Sequence, residues 1–392
     1  MSRGRHLGLA GGAAVAVVYG LARYGYGLFL PEMREEFGLS EGMLGLIAGG
    51  SYAGCLAALV AVYLLSAHVG PRPLIVTGGL SAFAGMALIA LAPNALALAA
   101  GVILAGTGVG WAWTPYNDAA ERMVESGKRA RVLSFISTGQ IFGMVAAAVI
   151  AYLATDGWRA GWLVFAATAL LVTVWNAWLL PGGATQEVRE ADEEGSPWSG
   201  LRKRYAWLLR EETMPLFAVA LGFGAVVSVY FSFAVEFVSG SGPLSATAGT
   251  ILWMFVGVAG VTGFFTGDAV ARLGLHQVLL GGFFAMSAAL GLLGIAPPSW
   301  LTVGVSATLF GASVMLLGAL FAVWSSQVFG YRSGAGLSAV VMVITLGQIA
   351  GSVAAGFIAG GAGLGVAFVA AAALALATGL IRPRLRATEA YA

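Results

Sequence analysis

The residues best suited to chemistry in this chain lie inside long apolar runs. Tyr19, Arg23 and Tyr26 follow i, i+4, i+7 spacing in the stretch YGLARYGYGLFLPEM, which places them on one face of an α-helix. A guanidinium brings fixed positive charge and a planar fork of donors, and phenol hydroxyls beside it complete a wall suited to an organic anion. The same arginine could instead pair with a carboxylate or with helix-end carbonyls. Two amides form a second feature. Residues 138–151 read TGQIFGMVAAAVIA and residues 346–359 read LGQIAGSVAAGFIA, identical at nine of fourteen positions at an offset of 208. Gln140 and Gln348 fall at the same place in the two copies. Each either bonds across helices or faces a cavity and orients a substrate. Glu236 is the candidate proton carrier, because burial raises a carboxyl pKa toward physiological pH; the alternative is a solvated cap at a membrane surface.

Aromatic and charged residues extend the set. Trp111, Tyr116 and Asn117 crowd the inner half of one apolar run, and Phe321, Trp324 and Ser325 fall on Trp113, Tyr116 and Asn117 at the 208-residue offset. Trp111 and Trp324 are expected to wall a substrate path, with Tyr116, Asn117 and Tyr230 lining it. Asp118 and Asp268 stand near the inner ends of their runs as gating candidates. Asp118 also sits one turn before Arg122, the spacing of a local ion pair.

The elements that must position these residues are membrane helices. The chain is 59% apolar and 10% charged, against roughly 25% charged in an average soluble domain. Twelve runs are long enough to cross a hydrocarbon core as helices, from about residue 8 to about residue 381. The fold class is therefore all-α and polytopic: twelve transmembrane helices, with the repeat marking two pseudo-symmetric six-helix halves. The expected division is an N-terminal bundle 1–181, a linker 182–213 carrying an amphipathic helix, and a C-terminal bundle 214–392 with its tail. Of the 20 lysines and arginines, 17 lie in the segments on one side, which places both termini in the cytoplasm of a cell inner membrane. The net charge of +2 reports this topology and not nucleic-acid binding. On that reckoning Arg23 lies roughly 10 Å below the outer end of the first span, at about 1.5 Å per residue.

Neither a GK[ST] phosphate loop nor an HExxH zinc motif occurs, so no enzyme activity, cofactor or metal is expected. The lone cysteine, Cys55, lies within the second run and forms no internal disulfide. The expected partners are the lipid bilayer, a small-molecule substrate and a proton, with the chain acting as a monomer.

Twelve spans in two six-span halves, with a tight glycine-containing loop between spans two and three, resemble the major facilitator superfamily. That family's loop signature has the form G-x-x-x-D-R-x-G-R-[KR]; Gly70 and Arg72 match it, while Ala67 and His68 stand at its aspartate and first arginine. The stretch RYGYGLFLPEMREEFGLS, residues 23–40, looks like the YbfB/YjiJ-like bacterial branch. The resemblance implies a secondary transporter working by alternating access, by symport or antiport. With Arg23 at its centre, the cargo is expected to be an organic anion. The alternatives are a multidrug or metabolite exporter, with Arg23 structural, and a membrane sensor that moves nothing.

Overall fold

The computed structural model describes residues 3–154, 157–183, 208, 210–240, 247–296, 299–330 and 333–384. The expected amphipathic helix near 198–208 lies almost entirely outside them, as does the tail beyond 384. Among the described residues there are helices and no strands. The first span joins α1 (Arg3–Val15), a π-helical segment (Ala16–Arg23) and α2 (Tyr24–Leu28). A short α3 (Leu30–Phe37) leads to α4 (Glu41–Val69) and α5 (Pro71–Ala90). The fourth span is α6 (Ala95–Gly110) with α7 (Trp113–Met123), followed by α8 (Ser126–Leu153) and α9 (Trp158–Leu179). The second group runs α10 (Met214–Gly240), then α11 (Ala248–Ala259) continued through a 3₁₀ segment into α12 (Thr266–Leu273). It ends with α13 (Leu275–Ile295), α14 (Trp300–Phe329), α15 (Ser333–Ala362) and α16 (Leu364–Gly379). Eleven of these spans are long and apolar enough to cross a membrane, and α16 is a shorter apolar helix. Large apolar side chains such as Leu171, Trp178 and Leu301 are exposed. Lipid, unlike water, exacts no cost for such a surface.

Even spans bring both chain ends to one side, here the terminal face; the other is the distal face. Gly70 and Gly274 open the turns into α5 and α13 with φ of 73° and 85°, a region in which a Cβ is strained. These turns occupy equivalent places in the two groups.

The repeated stretches have a packing role. A Cβ at Gly139 or Gly143 would strike the backbone of Gly12 or Ala16 in the first span, and a Cβ at Gly347 or Gly351 would strike Leu221 or Ala225 in α10. The same residue pairs thus bring α8 onto the first span and α15 onto α10. Such close approach of helix backbones is what membrane helices use in place of a hydrophobic drive.

The two groups meet along α4 against α15 and α8 against α11, and at the distal end through α2 and α3 against α10. Gly45 and Gly356 allow α4 and α15 to touch near that end. At the terminal face, α7 and α12 pack mainly within their own groups. Helix ends are satisfied locally: Ser40, Asn94 and Ser299 each accept a backbone N–H as N-caps. Ser40 also sits in the letters G-x-S-x-G at 38–42, but its hydroxyl serves Met43 N as a helix cap. Arg159 caps the other end of α5, donating to the carbonyls of Ala90 and Ala92 at 2.8 and 2.9 Å.

Candidate functional site

The π-helical segment decides which side chains of the first span point inward. Its wider turn shifts the register that i, i+4, i+7 spacing assumes, so Tyr19, Arg23 and Tyr26 do not share one face. Tyr19 stays with Arg23, whose guanidinium lies 5.7 Å from that ring centroid. Tyr26 turns away and donates from its hydroxyl to the Leu44 carbonyl at 3.1 Å, within the first group. Tyr24 turns toward the second group, with its ring against Phe231 and Trp253.

Arg23 is the centre of a polar cluster between the groups. One guanidinium nitrogen donates to Gln348 Oε1 at 2.5 Å, linking the first span to α15. The Tyr52 ring on α4 lies 4.6 Å from the guanidinium carbon. Gln140 Nε2 donates to the Tyr24 hydroxyl at 2.7 Å. Both repeated glutamines therefore reach neighbouring residues of the first span. Protein surrounds Arg23, yet Arg23, Tyr19 and Gln140 keep partial exposure. Among the described residues, no carboxylate lies within ion-pair distance of Arg23, whose partners are an amide and phenol rings. Among the described residues, this positive charge is thus left without a counter-ion.

On the distal side of Arg23 three aromatics from both groups close over the cluster. Tyr24 lies 4.4 Å from Phe231 and 5.5 Å from Trp253, and those two are stacked at 5.5 Å with planes 5° apart. Beyond them Arg34 on α3 bonds Glu236 on α10 and, at 2.5 Å, Glu41 on α4. Glu236 is 8% exposed, so it is not a solvated cap. Its second oxygen, Oε2, is buried without a hydrogen-bond partner. Burial by itself would lower the Arg34 pKa, but the pairs with Glu236 and Glu41 outweigh it and hold the guanidinium above its ordinary value.

Other sequence candidates lie elsewhere. Trp111 faces a small cavity between the first span, α5 and α9, with Tyr116 and Asn176, rather than Arg23. Tyr116 is fully buried and donates to Asn176 Oδ1 at 2.8 Å. Tyr230 is buried in the second group, stacked on Phe310 at 3.7 Å and bonded to Ser306. Trp324 is fully buried in the core. Asn117 and Asp268 are exposed at the terminal face. Asp118 makes the local ion pair with Arg122 at 2.9 Å. Sequence reasoning missed Tyr24 and Tyr52. Tyr52 was detectable as one of two phenols, with Tyr63, in an otherwise apolar run; Tyr24 was not, because only the π-turn aims it inward.

The Major Facilitator Superfamily profile matches residues 12–330. Transcription regulatory protein OpdE of Pseudomonas aeruginosa is 31% identical over 156 residues, 39% of this chain and 38% of that protein. Monocarboxylate transporter 11 of Homo sapiens is 30% identical over 215 residues, 54% of this chain and 44% of that protein. The chain matches less than half the length of either relative. Solved structures agree over nearly the whole chain. A POT family transporter in complex with 5-aminolevulinic acid has a TM-score of 0.77 at 11% identity, covering 96% and 95% of the two chains. The nucleoside transporter NupG gives 0.74 at 11%, covering 97% and 98%. A bacterial homologue of the human lysosomal transporter Spinster, inward-facing and unoccupied, gives 0.72 at 16%, covering 97% and 94%. At these identities the likeness is one of fold.

Proposed function

We propose, for a chain that belongs to the Major Facilitator Superfamily, that it is a secondary transporter whose cargo is a small organic anion carrying one carboxylate. The observation that carries this reading is Arg23, a guanidinium surrounded by protein with neutral partners only among the described residues. An unpaired charge at that depth costs several kcal/mol, on the order of 2.5–3.5 on insertion scales, and a bound carboxylate offsets it with a charge-assisted, two-pronged contact. A single fixed charge favours a monoanion over a dianion. With no acid beside Arg23, an ammonium group on the cargo would find no counter-ion. The name of the human relative, Monocarboxylate transporter 11, agrees with this class.

Transport follows by alternating access between bundles 1–181 and 214–392. The distal end is closed by the aromatic roof and the Arg34–Glu236 pair, so cargo enters and leaves on the terminal side in this state. Tyr19, Tyr52 and Gln140 orient the anion, and Glu236, with its unpartnered oxygen, carries the coupled proton. The protein works as a monomer in a bacterial inner membrane with both termini in the cytoplasm, within the YbfB/YjiJ-like branch.

The test is uptake of labelled monocarboxylates into proteoliposomes under an imposed pH gradient. Arg23→Ala is expected to reduce uptake to background while the protein still inserts, and Arg23→Lys, which keeps charge but loses the fork, to retain a small fraction. Uptake at the wild-type rate in Arg23→Ala removes Arg23 from the site. Binding without flux in the wild type would instead favour a sensor, which the name of the OpdE relative suggests.

A further inference from the structure

We infer that Gln348 is an internal stand-in for the cargo: its amide oxygen occupies the place on Arg23 that the anion takes, and binding consists of an exchange of one for the other. This rests on the anion reading above and adds to it. Three observations carry the inference. Gln348 Oε1 lies 2.5 Å from the Arg23 guanidinium, in the manner of a ligand oxygen. Gln348 is 7% exposed, and its helix is seated by Gly347 and Gly351 against the α10 backbone, so the amide starts from a fixed place beside Arg23 and only its side chain has to turn for the exchange. Its symmetry counterpart Gln140, packed by the corresponding glycines, bonds a phenol and not a guanidinium. The repeat therefore supplied two equivalent amides, and only one has been put on the charge.

The exchange has a direction. An amide carbonyl and a carboxylate both accept from Arg, but the carboxylate bears a full charge and fits the planar fork with two oxygens. In the low-dielectric chamber the anion is the better partner, and Gln348 sets how much better it must be. Affinity at Arg23 is thus a difference between two contacts, which makes Gln348 a determinant of affinity and of selectivity for charged over neutral acceptors.

The exchange also touches conformation. The Arg23–Gln348 contact joins the first span to α15, helices of opposite groups. An anion that takes Arg23 removes this tie, so it binds the tied and untied arrangements with different affinity. That difference is what a ligand needs in order to shift a conformational balance.

The test uses the full-length purified protein with benzoate, pyruvate and acetate as probes, read by calorimetric titration and thermal melting. Gln348→Ala removes the competitor and is expected to bind these anions about tenfold tighter than the wild type. Gln348→Glu builds a carboxylate onto Arg23 and is expected to melt higher than the wild type without ligand and to lose anion binding. The melting rise reports folding and the built-in pair in the same experiment. Weaker binding in Gln348→Ala, with binding abolished by Arg23→Ala, overturns the stand-in role and leaves the anion site intact. Binding that is unchanged in Arg23→Ala, or absent from the wild type and Gln348→Ala alike, overturns the anion site itself and this inference with it.

Discussion

Tyr52 tests how the guanidinium is held. Its ring lies 4.6 Å from the Arg23 guanidinium carbon. Tyr52→Phe keeps the ring and is expected to change anion affinity less than threefold. Tyr52→Ala removes the face and should weaken binding by about 1–2 kcal/mol, the size of a desolvated cation–π contact. Titration of both variants decides; equal losses would mean that the hydroxyl, not the ring, positions Arg23. At this scale the sequence revealed residue types but not their partners. Arg23, Tyr19, Gln140 and Gln348 stood out as polar groups in apolar runs, and they converge. Trp111, Tyr116, Tyr230 and Trp324 have the same composition signal and pack elsewhere, because an aromatic in a membrane helix fills core as readily as it lines a cavity.

The helices were legible from hydropathy, and their ends to within a few residues; the caps and one irregular turn were not. The π-turn at Ala16–Arg23 carries no proline that would announce it, yet it sets Tyr24 rather than Tyr26 against the second group. Arg159 is a second residue whose role only the assembled helices show. It stacks over Trp158 at 4.4 Å, caps α5 through two carbonyls and pairs with Glu36 at 2.5 Å. Both charged side chains are more than a third exposed, so the pair is screened and contributes about 1 kcal/mol or less. The hydrogen bond from Arg159 holds the Glu36 carboxyl below its ordinary range. A lowered folded value gives stability that is present above the unfolded pKa and lost as pH falls through the folded one. Thermal melting of Arg159→Ala should therefore show a loss of a few degrees at pH 7 that shrinks below about pH 4, where the wild type loses the same pair. A loss independent of pH would assign the whole effect to the α5 cap.

For the molecule as a whole, the question is what holds the distal end shut. Among the described residues, Arg34 is the one cation bonded across the groups to Glu236, whose side chain is 9% exposed. Removing a partner leaves a buried carboxylate uncompensated, a cost of about 3–5 kcal/mol for a fully buried pair; the partial exposure of Arg34 reduces this to about 2 kcal/mol. Arg34→Gln is expected to shift the balance toward distal opening by roughly thirtyfold. Spin labels at Pro93 and Leu301, exposed at the distal ends of the two groups, would read this as a longer distance. An unchanged distance would give the closure to the Tyr24, Phe231 and Trp253 roof alone.

By itself the sequence determined that this is a membrane protein of twelve spans built on a duplicated unit. Hydropathy and charge placement are summed over many residues, and a repeat survives as letters. It also singled out Arg23, since a charge within an apolar run needs a partner wherever the helix goes. Only the tertiary structure decided that the partner is neutral, that it is Gln348 from the other group, and that the roof and the Arg34 pair close one end. Those facts depend on the rotation of each helix about its own axis. A single π-turn or glycine contact sets that rotation, and side-chain spacing along one strand of sequence does not record it.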